Sequence, residues 1–159
     1  MRNPPRRVFA SVLIVDPDDG LRALYRAILE PLVELVFESG DGVAALALAF
    51  RTPPSMIVAD VRLPRVDGAA LCECLSAHHR TAPTLKLIVA ADAWMARRAY
   101  AAGADRVIQK PFSPDELADA AVQLWKSGSA SGSTNSSIRP RSSGASGGSN
   151  SIRTTARHA

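Results

Sequence analysis

Three short apolar segments of this chain each lead directly to a charged residue. Their sequences are VLIVD, MIVAD and RVIQK, and they end at Asp16, Asp60 and Lys110. Segments of this length, rich in Val and Ile and separated by helical patterns, are typical of buried parallel strands. Ligands of open parallel α/β sheets bind beyond the carboxyl ends of the strands, so we expect the three charged side chains to converge there. Two carboxylates and one ammonium together predict a site for an anion or a metal ion.

Strand and helix patterns alternate five times along the chain. The predicted elements are strand Ser11–Asp16, helix Asp18–Glu30, strand Leu32–Glu38, helix Asp41–Phe50, strand Met56–Asp60, helix Ala69–His78, strand Leu85–Ala90, helix Ala93–Ala102, strand Arg106–Gln109 and a last helix that reaches Trp125 or Lys126. Ser113 and Glu116 are spaced as a capping box at the start of that last helix. The alternation predicts a doubly wound, five-stranded parallel sheet of flavodoxin-like order 2-1-3-4-5, with helices on both faces.

The composition divides the chain into a basic N-terminal extension (residues 1–7), a domain (residues 8–126) and a Ser/Gly/Arg-rich tail (residues 127–159). Seven Arg residues lie in the two end segments, so the formal net charge of +4 leaves about −3 for the domain. The tail has no aromatic residue, so we expect it to be disordered and to bind no specific nucleic acid. No apolar run is long enough to cross a bilayer, and we expect a cytoplasmic protein.

The residues around the charged strand ends are similar to those of a known family. The matching stretches are VLIVDPDDGLR, MIVADVRLPRVDG, AAGADRVIQKPF and SPDELADAAVQL. In this order and spacing, the chain from Val8 to Trp125 resembles the receiver domain of bacterial two-component response regulators, of the CheY-like superfamily. The resemblance implies a single-domain signalling protein in a phosphorelay, and not a turnover enzyme on a small substrate. Its partners would be a histidine kinase or phosphotransfer protein and a downstream protein that binds the helix 4–strand 5–helix 5 face.

The resemblance also implies a role for each charged residue. Asp60 would attack the phosphorus of a phosphohistidine and become an aspartyl phosphate, and Lys110 would contact a phosphoryl oxygen. Mg²⁺ would be held by Asp16, by Asp60 and by the backbone carbonyl of Arg62. Pro111 resembles the cis-proline of the family, which would aim the Lys110 ammonium into the pocket.

Three positions depart from the family pattern. Pro17 stands where the family has a second acid that binds the metal directly, so Mg²⁺ affinity should fall, and Asp18 is the candidate replacement ligand. Ala90 and Ala91 occupy the place of the Thr or Ser that ends strand four and binds the phosphoryl group. Val107 occupies the place of the aromatic residue inside strand five. Without these groups, phosphorylation lacks its usual connection to the helix 4–strand 5–helix 5 face.

Two alternative functions remain open. The first is a pseudo-receiver, a protein-binding module that uses the same fold without phosphorylation, and the three departures favour it. The second is an unrelated flavodoxin-like enzyme or cofactor binder, which would need a phosphate-binding loop after the first strand. The stretch PDDG at that place is acidic and would repel a cofactor phosphate. We therefore prefer the phosphorylated receiver and keep the pseudo-receiver as its alternative.

Overall fold

A computed structural model describes residues 7–132 of the chain. Its strands are β1 (Phe9–Val15), β2 (Val33–Ser39), β3 (Met56–Asp60), β4 (Leu85–Ala90) and β5 (Arg106–Gln109). Its helices are α1 (Asp19–Leu29), α2 (Gly42–Arg51), α3 (Gly68–Ala77), α4 (Ala93–Ala101) and α5 (Pro114–Gly132), and a 3-10 turn (Glu30–Leu32) follows α1. All strand pairs are parallel and the strand order is β2-β1-β3-β4-β5. The predicted flavodoxin-like sheet is confirmed.

The sheet separates two apolar clusters, which explains why its central strands contain few polar residues. Leu13, Ile57 and Ile88 lie on one face under α2, α3 and α4. Val58 and Val89 lie on the other face under α1 and α5. Each of these five side chains is at most 1% exposed. Strands buried on both faces have continuous apolar sequences, because neither face meets water.

Four of the five helices begin at an aspartate that follows the preceding strand or loop. In each case the carboxylate accepts the backbone N–H three residues further on, at 2.8 to 3.0 Å; these residues are Asp18, Asp41, Asp67 and Asp92. The last helix begins with the predicted capping box, in which Ser113 and Glu116 exchange hydrogen bonds of 2.6 and 3.2 Å. Side-chain caps satisfy N–H groups that have no partner inside the helix.

The last helix is longer than the sequence suggested. We predicted that it ends at Trp125 or Lys126 and that the disordered tail begins at residue 127, but α5 continues to Gly132, so this prediction is wrong for residues 127–132. The helix continues because it packs on the sheet: a Cβ atom on Gly128 would lie 2.9 Å from Leu85 Cδ2. The rest of the predicted tail and residues 1–6 lie outside the described residues. No helix within residues 7–132 combines the length and apolar composition needed to cross a membrane.

Candidate functional site

The structure brings the three charged strand-end residues together. Val15 pairs with Ala59, so Asp16 and Asp60 lie at the same level on adjacent strands. Lys110 directly follows β5, and its backbone N–H donates to the carbonyl of Ala90 at 2.9 Å. An open cleft of about 340 Å³ at this edge is lined by Asp16, Pro17, Asp18, Leu21, Asp60, Arg62, Ala91 and Lys110. Every predicted site residue therefore lines one cleft.

Both carboxylate oxygens of Asp60 have a polar partner. Its Oδ2 lies 2.5 Å from the Nζ atom of Lys110, and its Oδ1 accepts the backbone N–H of Arg62 at 2.6 Å. The Asp60 side chain is 9% exposed, whereas the Lys110 side chain is 36% exposed. The ammonium thus reaches the buried carboxylate from the solvent side. Charge-assisted hydrogen bonds of this kind are among the strongest in proteins.

Asp16 has an unsatisfied oxygen. Its Oδ1 accepts the backbone N–H of Asp18 at 2.8 Å, but its Oδ2 is buried and is the one such side-chain atom in residues 7–132 that has no hydrogen-bond partner. Burial raises the pKa of the Asp16 carboxyl, and the nearby charge of Asp60 raises it further, against the lowering effect of the Asp18 N–H. A buried acceptor without a donor costs about 1–3 kcal/mol. A proton or a cation on Oδ2 would remove this cost.

The acidic residues of the cleft, Asp16, Asp18 and Asp60, are candidate ligands for Mg²⁺. Carboxylate and carbonyl oxygens suit this ion, and the free Oδ2 of Asp16 is an available acceptor. Pro17 lines the cleft without contributing a donor atom, and Asp18 Oδ1 already accepts the Leu21 N–H at 3.0 Å as the cap of α1. Within residues 7–132, no cluster of three or more His, Cys, Asp or Glu could hold a metal ion, so side chains alone would leave most coordination positions of Mg²⁺ to water. The unpartnered Oδ2 of Asp16 is the observation that fits such an ion.

Two of the residues that depart from the family pattern, Ala91 and Val107, lie in the cleft lining and in β5. Ala91 lines the cleft, so no hydroxyl group is present at this point. Val107 lies in β5, partly buried against the cluster under α4. Its backbone N–H donates to the hydroxyl of Tyr100 at 3.0 Å, a contact that sequence reasoning did not foresee.

The segment after Lys110 is anchored to the core beneath the cleft. The Lys110–Pro111 peptide bond is cis, as the resemblance implied. The ring centroid of Phe112 lies 6.0 Å from that of Tyr25, which is 2% exposed on α1. Burial raises the pKa of Tyr25, and the charge of Asp16 adds to the shift, so the phenol lies close to the acids. Tyr25 is not among the residues predicted from the sequence, although its spacing from Leu21 and Leu29 marks one face of α1 that packs on the core.

The loop between β3 and α3 (residues 61–67) is held tightly against Asp60. A Cβ atom on Gly68 would lie 2.6 Å from the carbonyl oxygen of Asp60, so only glycine fits there. Arg65 has a φ of +67°, a conformation that side-chain-bearing residues rarely adopt. Its guanidinium lies 2.7 Å from a carboxylate oxygen of Asp41, the cap of α2. The loop that carries the Arg62 carbonyl is therefore held in place at Gly68 and at Arg65.

A second cavity lies at the opposite edge of the sheet. It measures about 370 Å³ and lies between the start of β4 and the last turns of α5; its lining residues are Pro53, Pro54, Ser55, Arg80, Pro83, Thr84, Leu85, Trp125, Gly128 and Ser129. Arg80 is the one charged residue in this lining, and no carboxylate accompanies it. The cavity thus lacks the paired carboxylate and ammonium that lie in the Asp60 cleft.

Comparisons with known proteins identify a family for this chain. Residues 12–122 match the family model described as response regulator receiver domain. The DNA-binding dual master transcriptional regulator RpaA of Synechocystis is 33% identical over 108 residues, which are 67% of this chain and 45% of RpaA. The transcriptional regulatory protein SrrA of Staphylococcus aureus is 33% identical over 106 residues, which are 67% of this chain and 44% of SrrA. The chain spans less than half the length of these relatives.

Solved structures show the same fold. The chemotaxis response regulator CheY4 of Vibrio cholerae superposes with a TM-score of 0.68 at 24% identity, over 74% of this chain and 99% of CheY4. The receiver domain of the sensor histidine kinase PA1611 from Pseudomonas aeruginosa superposes with a TM-score of 0.65 at 26% identity, over 74% of this chain and 98% of that domain. The PA1611 domain has a magnesium ion coordinated in its active-site cleft.

Proposed function

Because this chain belongs to the response regulator receiver domain family, we propose that it accepts a phosphoryl group on Asp60 from a histidine kinase or phosphotransfer protein. The observation that carries the proposal is the Asp60–Lys110 pair, whose Oδ2 and Nζ atoms lie 2.5 Å apart in the cleft. Receiver domains are signalling modules and not metabolic enzymes. The proposed role is that of a signalling module that acts through protein contacts.

The proposed reaction is the transfer of a phosphoryl group between two side chains. A carboxylate oxygen of Asp60 forms the new P–O bond while the P–N bond of the phosphohistidine breaks, and the imidazole nitrogen keeps the electron pair. Phosphoryl transfer needs alignment and neutralisation of charge more than covalent assistance. Lys110 supplies a mobile positive charge, which can leave the carboxylate and follow a phosphoryl oxygen.

Mg²⁺ is the proposed cofactor. When bound, it would neutralise negative charge on the phosphoryl oxygens. Asp16, Asp60 and the backbone carbonyl of Arg62 would hold it, and the unsatisfied Oδ2 of Asp16 supports this assignment. Since Pro17 adds no oxygen ligand, we expect weak binding of the ion and slow phosphorylation.

Signalling would use the face formed by α4, β5 and α5. A second candidate function is the pseudo-receiver, which binds a protein partner without phosphorylation. One observation favours this alternative: Ala91 brings no hydroxyl to the cleft.

Intact mass spectrometry after incubation with acetyl phosphate separates the two functions. The protein is incubated with Mg²⁺ or with a chelator, and the Asp60→Asn variant is treated in parallel. One phosphoryl adduct that needs Mg²⁺ and is absent from Asp60→Asn would support the receiver. No adduct on protein shown to be folded by circular dichroism would favour the pseudo-receiver. An adduct that persists in Asp60→Asn would remove Asp60 as the acceptor.

A further inference from the structure

The loop that follows Asp60 contacts α4. Asp60 Oδ1 binds the Arg62 N–H, and Gly68 lies against the Asp60 carbonyl oxygen, so the loop follows Asp60 closely at both ends. The last loop residue, Asp67, caps α3 with its Oδ1 at 2.8 Å from the Ala70 nitrogen. Its Oδ2 accepts a hydrogen bond from Arg98 Nη2, on α4, at 3.3 Å. One carboxylate thus connects the Asp60 loop to α4.

The strand that carries Lys110 also contacts α4. Lys110 directly follows β5, a strand of four residues, and Val107 lies three positions before it. Val107 donates its backbone N–H to the hydroxyl of Tyr100, on α4, at 3.0 Å. Because β5 is an edge strand, this N–H has no neighbouring strand to bind, and Tyr100 satisfies it. The loop that follows Asp60 and the strand that precedes Lys110 therefore each make one polar contact with α4.

The same helix carries an exposed aromatic side chain. The Arg98 guanidinium lies 5.2 Å from the ring centroid of Trp94, and Trp94 is 62% exposed. Arg98 thus contacts Asp67 on one side and the Trp94 ring on the other. A change in the Asp67–Arg98 contact alters the surroundings of an indole at the protein surface.

We propose that Asp67, Arg98 and Tyr100 are positioning residues that make the placement of α4 depend on whether the Asp60–Lys110 pair is closed. The inference rests on the proposed phosphorylation of Asp60. A phosphoryl group gives both the Lys110 ammonium and the Arg62 N–H new oxygen acceptors, so the pocket contacts differ between the two states. Differential contacts of this kind are what a ligand needs to shift a conformational equilibrium.

This connection does not use the side chains at which the chain departs from its family. Ala91 has no hydroxyl to bind a phosphoryl oxygen, and Val107 has no ring to turn inward. The polar contacts with α4 are made instead by the Asp67 side chain of the β3–α3 loop and by the backbone N–H of Val107. The Asp67 and Arg98 side chains are 36% and 45% exposed, so solvent screens their attraction. We therefore expect each contact alone to contribute a few-fold effect.

Fluorescence of Trp94 tests the inference. The chain has two Trp residues, so Trp125→Phe leaves Trp94 as the single indole. This parent is treated with acetyl phosphate and Mg²⁺, and the adduct mass and the emission maximum are measured on the same sample. Asp67→Asn keeps a helix-capping side chain and removes the charge, and Tyr100→Phe keeps the ring and removes the hydroxyl. We expect each variant to reduce the phosphorylation-dependent emission shift a few-fold and the double variant to abolish it.

Arg97→Gln is the matched control. Arg97 is exposed on the same helix and has no ion pair within residues 7–132, so its variant should keep the full shift. A purely structural effect would change the emission of both states equally and leave their difference intact. An adduct with an unchanged shift in the Asp67 and Tyr100 variants, or an adduct with no shift in the parent, would overturn the inference. Absence of any adduct would overturn the proposed phosphorylation first and this inference with it, and the mass spectrum distinguishes that case.

Discussion

Lys110 Nζ and Asp60 Oδ2 lie 2.5 Å apart although their residues are 50 positions apart in the chain. The sheet order explains the contact: β3 and β5 flank β4, and both end at the edge where the cleft opens. The ion pair connects the end of β3 with the end of β5. Helix α4 contacts the segments next to both, through Asp67 in the β3–α3 loop and through Val107 in β5. The ion pair is thus the point at which the proposed chemistry and the proposed movement of α4 meet.

Removal of the ammonium should destabilise the fold. In Lys110→Met, Asp60 keeps the Arg62 N–H but loses its charged partner while 91% of its side chain stays buried, since 9% is exposed. We expect a loss of about 1–2 kcal/mol in the free energy of unfolding, limited by the solvent exposure of Lys110. Urea unfolding followed by circular dichroism measures it. Lys126→Met, an exposed position on α5, is the control and should change little; equal effects of the two substitutions would contradict the assignment.

Asp16 should be a destabilising acid when no cation is present. Burial raises its pKa in the folded state above the ordinary value of 3.8, so the folded protein holds this proton more tightly than the unfolded chain does. Its contribution is therefore most favourable at low pH and is lost as pH rises through the folded-state pKa. In chelator at pH 7, Asp16→Asn should raise the free energy of unfolding by about 1 kcal/mol, because the orphaned Oδ2 charge is removed.

Two further measurements define this prediction. Urea unfolding at several pH values should show the advantage of Asp16→Asn shrinking as pH falls through the raised folded-state pKa of Asp16, because the native carboxyl then becomes protonated. Added Mg²⁺ should stabilise the native protein more than the variant, because the ion binds the folded state through the acid. A variant that is less stable than the native protein in chelator would contradict the prediction, because Asp16 would then make a favourable contact that outweighs the cost of its buried, unpartnered oxygen.

The loop around Asp60 should depend on glycine at the start of α2. A Cβ atom on Gly42 would lie 2.0 Å from the carbonyl oxygen of Val66, a backbone atom of the β3–α3 loop. Gly42→Ala should therefore cost at least about 1–3 kcal/mol, since α2 or the loop must move. Gly40→Ala is the matched control, because its Cβ would meet the nearest atom, Arg22 Nη1, at 3.5 Å. Thermal unfolding of the two variants compares them, and equal melting temperatures would contradict the steric argument.

Much of this architecture could be predicted from residue patterns. The strands β3, β4 and β5 have the predicted bounds, because short runs rich in Val and Ile between helical patterns are typical of parallel strands. The convergence of Asp16, Asp60 and Lys110 follows from the parallel order alone. The start of α5 followed from the Ser113–Glu116 spacing, which is a local signal.

Contacts that depend on tertiary packing could not be predicted. The end of α5 was missed because its last residues are Ser, Gly and Ala, which are weak helix signals, and the helix continues where Gly128 meets Leu85. The Asp67–Arg98 contact joins residues 31 positions apart with no pattern between them. Asp18 illustrates a competition between roles: the sequence offered it as a metal ligand, and the structure shows its Oδ1 capping α1. The sequence identifies each of these residues, but it does not identify the residue that each one contacts in the folded protein.

The last prediction concerns the position that departs most from the family. Pro17 lines the cleft with Asp16, Asp18 and Asp60, and Pro17→Asp would add a fourth carboxylate there. A further charged oxygen ligand should tighten Mg²⁺ binding by roughly tenfold, which corresponds to about 1.4 kcal/mol. The same charge should destabilise the protein in chelator, because it repels two buried acids and no cation offsets it.

Calorimetric titration with Mg²⁺ measures the first effect, and urea unfolding in chelator measures the second. Pro17→Asn is the control: it removes the proline and adds a neutral oxygen, so it should give a smaller gain in affinity and a smaller loss of stability. If Pro17→Asp and Pro17→Asn bind Mg²⁺ equally, the added charge does not reach the ion. The weak metal binding expected of the native chain would then come from the shape of the loop and not from the missing acid.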